Sequence, residues 1–157
     1  MTREALWPYA LEVYGRPGAE PLLLELQDAH GQCAPYLIWA LWVAASGRGV
    51  DAARAAQAAE LARAWQDAAV VPLRRLRREL KADARAGPKA PRERLRERVK
   101  GLELEAERML LQMLQDASSA PAAAAPIAAA QALALATAAW GGDPPAGLIA
   151  RLADLAG

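Results

Sequence analysis

The chain has 157 residues, 54% hydrophobic and 24% charged, with a formal net charge of +1, which fits one domain long enough to bury a helical core without cross-links or metal. Cys33 is the only cysteine, so an internal disulfide is excluded and a reducing, cytoplasmic setting is expected. An acid and a proline, Glu4 and Pro8, interrupt the run that an export signal would need, so no such signal is expected.

Helix punctuation by proline and glycine is legible along the chain. The spacing of Leu6, Tyr9, Ala10, Val13 and Tyr14 predicts a first short helix, stopped by Gly15-Arg16-Pro17-Gly18. A second begins near Ala19, with Pro21 in its first turn, and ends at His30-Gly31. There an imidazole at the negative end of the helix dipole and a left-handed glycine account for both residues. The third opens at Pro35 and runs to about Ala45, apolar on every side, and belongs at the centre of the fold. Seven of the eight aromatic residues (Trp7, Tyr9, Tyr14, Tyr36, Trp39, Trp42 and Trp65) precede residue 66, so the specific core is expected in this front part.

Asp51 is placed to cap a long alanine-rich helix carrying Leu61 and Trp65, which Pro72 kinks or divides. Leu73, Leu76 and Leu80 continue an apolar stripe to about Ala86, Gly87-Pro88 turns the chain, and Pro91 opens the next helix, to about Asp116. Leu95, Val99, Leu102, Ala106, Met109 and Met113 alternate by four and three, a coiled-coil-like seam about three heptads long. Ala117 to Trp140 carries no charge over 24 residues, long enough for a membrane span. Its alanines, Pro121 and Pro126 argue instead for a linker, a weak helix from Ile127 to Ala139 and, after a turn at Gly141 to Pro145, a last helix from Gly147 to Leu155. The expected fold is all-α: a compact aromatic-cored head (1–71), a charged antiparallel helical hairpin (72–116) and a weakly structured Ala/Pro-rich tail (117–157).

Between Pro72 and Lys100 there are 12 basic and 4 acidic residues, a local charge of +8 against −7 for the rest. Arg74, Arg75, Arg77, Arg78 and Lys81 on one helix, and Arg92, Arg94, Arg96, Arg98 and Lys100 on the other, form a candidate interaction surface. The leading expectation is a non-enzymatic binding or adaptor module that uses this hairpin for protein contacts or self-association. The alternative is nucleic-acid binding through the arginines, which would be salt-sensitive; no aromatic lies among them to stack a base. Arg outnumbers Lys 16 to 3 and alanine fills 41 positions, a skew that GC-rich coding also produces.

No cofactor is expected. Glu103 and Glu107 share a helix face, but the single histidine lies outside any di-iron pattern. Gln27, Asp28 and His30, beside the most apolar part of the head, form a candidate buried polar network and a remote basis for an enzyme, as does a Cys33 and His30 pair three residues apart. Catalytic equipment is otherwise thin.

Leu6-Trp7-Pro8-Tyr9-Ala10-Leu11 with Val13-Tyr14, then Arg16-Pro17-Gly18, Leu26-Gln27-Asp28 with Gly31, and Leu41-Trp42 resemble the opening signature of a family of uncharacterised proteobacterial proteins of similar length. The likeness continues in Trp65-Gln66, Val70-Val71-Pro72-Leu73-Arg74 with Arg77 and Lys81, and Glu103-Leu104-Glu105-Ala106-Glu107-Arg108. It spans residues 5–115. That family is a domain of unknown function, so the resemblance implies a bacterial cytosolic protein and carries no activity or site residues with it.

Overall fold

A computed structural model describes residues 5–82, 87–120 and 124–157, and all regular structure among them is helical. The chain divides into two compact units, residues 1–62 with 111–157 (the head) and residues 63–110 (the hairpin).

In the head, α1 (Leu6–Tyr14) buries Leu6, Tyr9, Ala10 and Val13, the face its spacing predicts. The Leu6 N–H, which has no partner within its own helix, donates to Gln115 Oε1 at 2.7 Å. The second helix, α2 (Ala19–His30), ends at Gly31, whose φ of 62° turns the chain so that Gly31 and Gln32 both donate back to the Leu26 carbonyl. The third, α3 (Ala34–Ala45), is buried continuously from Ala34 to Val43. Each aromatic side chain it removes from water contributes roughly 4–6 kcal/mol as an upper figure.

Aromatic rings bring polar atoms into that core, and those of Tyr36 and Trp39 have hydrogen-bond partners there. Tyr36 stacks on Trp39 at 5.5 Å, and its hydroxyl lies 3.0 Å from the carbonyls of both Ala55 and Ala136. Trp39 Nε1 donates to Ser118 Oγ at 2.8 Å, and the Ser118 hydroxyl donates to the Leu114 carbonyl. The Arg48 guanidinium lies 4.3 Å from the Trp42 ring centre, a cation–π contact. Asp51 caps α4 (Ala52–Trp65), its Oδ1 accepting the Arg54 N–H at 2.8 Å. Ala55, Ala58, Ala59 and Ala62 form the buried face of that helix.

The segment expected to be a weakly structured tail is integral to the head. Helix α7 (Ala129–Trp140) packs on α3, and α8 (Ala146–Ala156) packs on α2 and α7. Ala132, Leu133, Ala136 and Leu152 have no exposed surface. Trp140 lies 5.4 Å from Tyr36 and donates to the Gly31 carbonyl at 2.9 Å, so the one late aromatic completes the early cluster. Small side chains carry little hydrophobic signal, yet they let α7 approach α3 closely enough for its Ala136 carbonyl to meet the Tyr36 hydroxyl. Residues 121–123, part of the expected linker, lie outside the described residues.

In the hairpin, a π-turn (Gln66–Val70) joins α4 to α5 (Val71–Ala82), with the Val71 N–H donating to the Gln66 carbonyl. Pro72 explains it: proline has no N–H to return to residue 68 and its ring crowds that carbonyl, and a wider turn relieves both. The expected kink is therefore present as a π-turn. Helix α6 (Lys89–Ala117) follows, with Pro91 in its first turn; its last residues, from 111, belong to the head. The continuation of α5 expected to Ala86 falls on residues outside those described.

Candidate functional site

The second unit is held by a seam that mixes apolar and charged groups. From α4, the π-turn and α5 come Trp65, Gln66, Val70 and Arg74, whereas α6 contributes Val99, Glu103, Ala106 and Leu110. Trp65 Nε1 donates to the Ala106 carbonyl at 2.8 Å. Arg74, only 7% exposed, donates through Nε to Glu103 Oε1 at 3.0 Å and through Nη2 to Glu107 Oε1 at 3.3 Å. Arg77 Nε donates to the other Glu103 oxygen at 2.5 Å. Two guanidiniums thus offset two carboxylates, and the planar fork of Arg74 bridges acids one helical turn apart. Burial nevertheless raises the Glu107 carboxyl above its ordinary range; Arg74 opposes the rise and Glu103 adds to it.

This pairing corrects the predicted heptad seam. Glu103 occupies the inward position that Leu102 was expected to fill, and Leu110 the one expected for Met109. Leu95, Leu102 and Met109 are 47%, 52% and 49% exposed. They recur every seven residues, two turns apart, on one flank of α6. On α5, Leu73 precedes Arg74 as Leu102 precedes Glu103. Both helices are right-handed and run antiparallel, so one step back from the paired residues rotates each leucine toward the same side of the hairpin. Leu76, 42% exposed, stands one turn further along that side of α5. The result is an apolar face spanning both helices.

The ten basic residues of the candidate surface separate into three groups. Arg74 and Arg77 are core members of the ion cluster rather than surface groups, a correction forced by Glu103 and Glu107. Arg96 is half-buried and paired with Glu93 at 3.5 Å and Glu97 at 3.7 Å, and Arg92 is half-buried with Nη1 near the Gly87 carbonyl. Arg75, Arg78, Lys81, Arg94, Arg98 and Lys100 are exposed.

Gln27, Asp28 and His30 do not form the expected buried network. Asp28 is exposed, Gln27 and His30 are half-buried, and the Gln27–Asp28 contact lies at the surface. The three occupy the outward turn of α2, whose buried side is Leu22, Leu23 and Leu26. The buried amide of this region is Gln32, 1% exposed, whose Nε2 donates to the carbonyls of His30 and Gly141. Sequence reasoning missed it because its partner lies 109 residues away. Gln66 was missed as a buried residue too; its Oε1 accepts no hydrogen bond among the described residues.

Among the described residues no group of three or more histidine, cysteine or acidic side chains could hold a metal ion, and no helix is long and apolar enough to cross a membrane. An all-helical domain with an ion-paired hairpin is the class these observations define. Residues 5–114 match the family described as "Protein of unknown function (DUF2390)", and the chain belongs to it. The match takes in the whole hairpin and ends before α7 and α8. No curated protein and no solved structure matches the chain.

Proposed function

We propose that the protein is a non-enzymatic binding module whose hairpin, residues 63–110, recognises a protein surface through its apolar face. The observation that carries this reading is the exposure of Leu76, Leu95, Leu102 and Met109 on a helix pair whose opposite contacts are fixed by buried ion pairs. Rigid helices that present an apolar stripe bordered by charge bind partner helices with little loss of conformational freedom. The buried lone thiol of Cys33 agrees with a reducing, cytoplasmic setting.

The test is co-precipitation and sedimentation of the full chain with and without Leu102→Glu. The reading expects the substitution to abolish an association, with itself or with another protein, while the helical circular dichroism stays unchanged. An association pattern indifferent to Leu102→Glu and Met109→Glu refutes it.

A second reading, nucleic-acid binding, draws on the exposed Arg75, Arg78, Arg94 and Arg98. It predicts affinity that falls steeply with salt and is lost on charge reversal at Arg75, Arg94 and Arg98. Arg74 and Arg77 cannot serve in that test, because reversing them would disrupt the ion cluster.

A further inference from the structure

We infer that the occupant of the hairpin's apolar face is a second copy of this chain, the two α6 helices crossing antiparallel about Leu102. The inference rests on the reading of the hairpin as the binding element and adds the identity of its partner.

Charge along α6 sets the direction. Residues 89–101 carry six cations and two acids, and residues 102–117 carry four acids and one cation. A parallel pairing would lay like charge over like. An antiparallel pairing lays the basic half of each helix over the acidic half of the other, and a twofold axis at Leu102 does so for both copies at once.

The spacing of the face is self-complementary about that residue. Leu95 and Met109 are each seven residues from Leu102, so the axis sets Leu95 of one copy against Met109 of the other. Arg98 and Glu105 are both exposed and lie between these apolar positions, Arg98 three residues beyond Leu95 and Glu105 four before Met109. They border the face on its outer side. In the antiparallel register Arg98 of each copy meets Glu105 of the other, two equivalent ion pairs bracketing Leu102. Leu73 and Leu76, on the same side of α5, extend the covered surface. Two such hairpins face to face form a four-helix arrangement in which the exposed flank becomes core.

The experiment uses the full chain in sedimentation equilibrium over a wide concentration range, with circular dichroism as the check on folding. The wild type is expected to dimerise reversibly, and Leu102→Glu to weaken the dimer about a hundredfold. Arg98→Glu and Glu105→Arg alone set like charges together and each weaken it about tenfold. An equimolar mixture of these two variants restores both pairs in the mixed dimer, which forms with close to wild-type affinity. A monomer at all concentrations overturns the inference, as does a dimer that Leu102→Glu leaves intact or a mixture no tighter than either variant alone. If the chain is monomeric while Leu102→Glu abolishes capture of a different protein, the second copy is excluded and the binding-module reading stands.

Discussion

Replacing Arg74 by alanine removes a group that bonds both acids of the hairpin seam. It abolishes the 3.0 Å bond to Glu103 and the 3.3 Å bond to Glu107. Glu103 keeps Arg77, so the loss falls chiefly on Glu107, whose side chain is 20% exposed and loses its bond to Arg74. Each hydrogen bond to a charged group contributes about 1.5–3 kcal/mol, and removing one member of a buried ion pair costs about 3–5 kcal/mol. The two estimates agree on about 3–5 kcal/mol, a large part of the roughly 5–15 kcal/mol that holds a domain together. Because all these contacts lie within residues 63–110, the loss is local. Hydrogen exchange read by mass spectrometry should show faster exchange in peptides covering 71–82 and 95–108, with those covering α3 close to wild type. Arg74→Lys should fall between, since an ammonium lacks the fork that reaches two acids. If Arg74→Ala leaves exchange in the hairpin unchanged, or destabilises it by less than about 1 kcal/mol, the cluster is not what organises the seam.

Glu107 gives a pH signature of definite sign. Its folded pKa lies above the ordinary value of 4.5, so the stability contributed by the protonated form is complete below that value and lost as pH rises through the raised one. Glu107→Gln should therefore stabilise the hairpin at neutral pH, and its advantage in urea titrations should vanish below pH 4.5; an advantage independent of pH contradicts this. Gly49→Ala should lower head stability by about 2 kcal/mol or more, measured as thermal midpoint, because Gly49 has a φ of +73° and a Cβ there would lie 3.0 Å from the Ala125 carbonyl oxygen and closer still to that of Ala124. Ser118→Ala should cost about 1–3 kcal/mol in urea unfolding by leaving the buried Trp39 indole N–H without its acceptor. A chain ending at residue 128 should lose cooperative unfolding, since α7 and α8 cover α2 and α3; a cooperative transition in that truncation would show the head self-sufficient without them.

Local signals located nearly every helix. Gly31, Asp51, Pro72 and Pro91 act through backbone chemistry confined to a turn or two, so their effects are written where they occur. The all-round apolar run of α3 likewise required burial wherever the chain went. The hairpin face was legible only in part. The four-three alternation identified α6 as a packing helix, but Leu102 and Glu103 are adjacent and only one can face α5. Hydrophobicity alone favours the leucine. The outcome was decided by Arg74 and Arg77, 29 and 26 residues away, whose guanidiniums make a buried glutamate tolerable at that position.

The sequence by itself determined the helical class, the helix ends and the identity of the central helix, because propensity, capping and hydrophobic period are properties of neighbouring residues. Tertiary structure alone decided that the alanine-rich C-terminal helices belong to the core, that Gln32 and Ser118 are buried partners while Gln27, Asp28 and His30 are not, and which arginines remain at the surface. Each of these depends on a contact between residues far apart in sequence, where a small side chain or a single carboxylate has no preference of its own until another element of the chain arrives beside it.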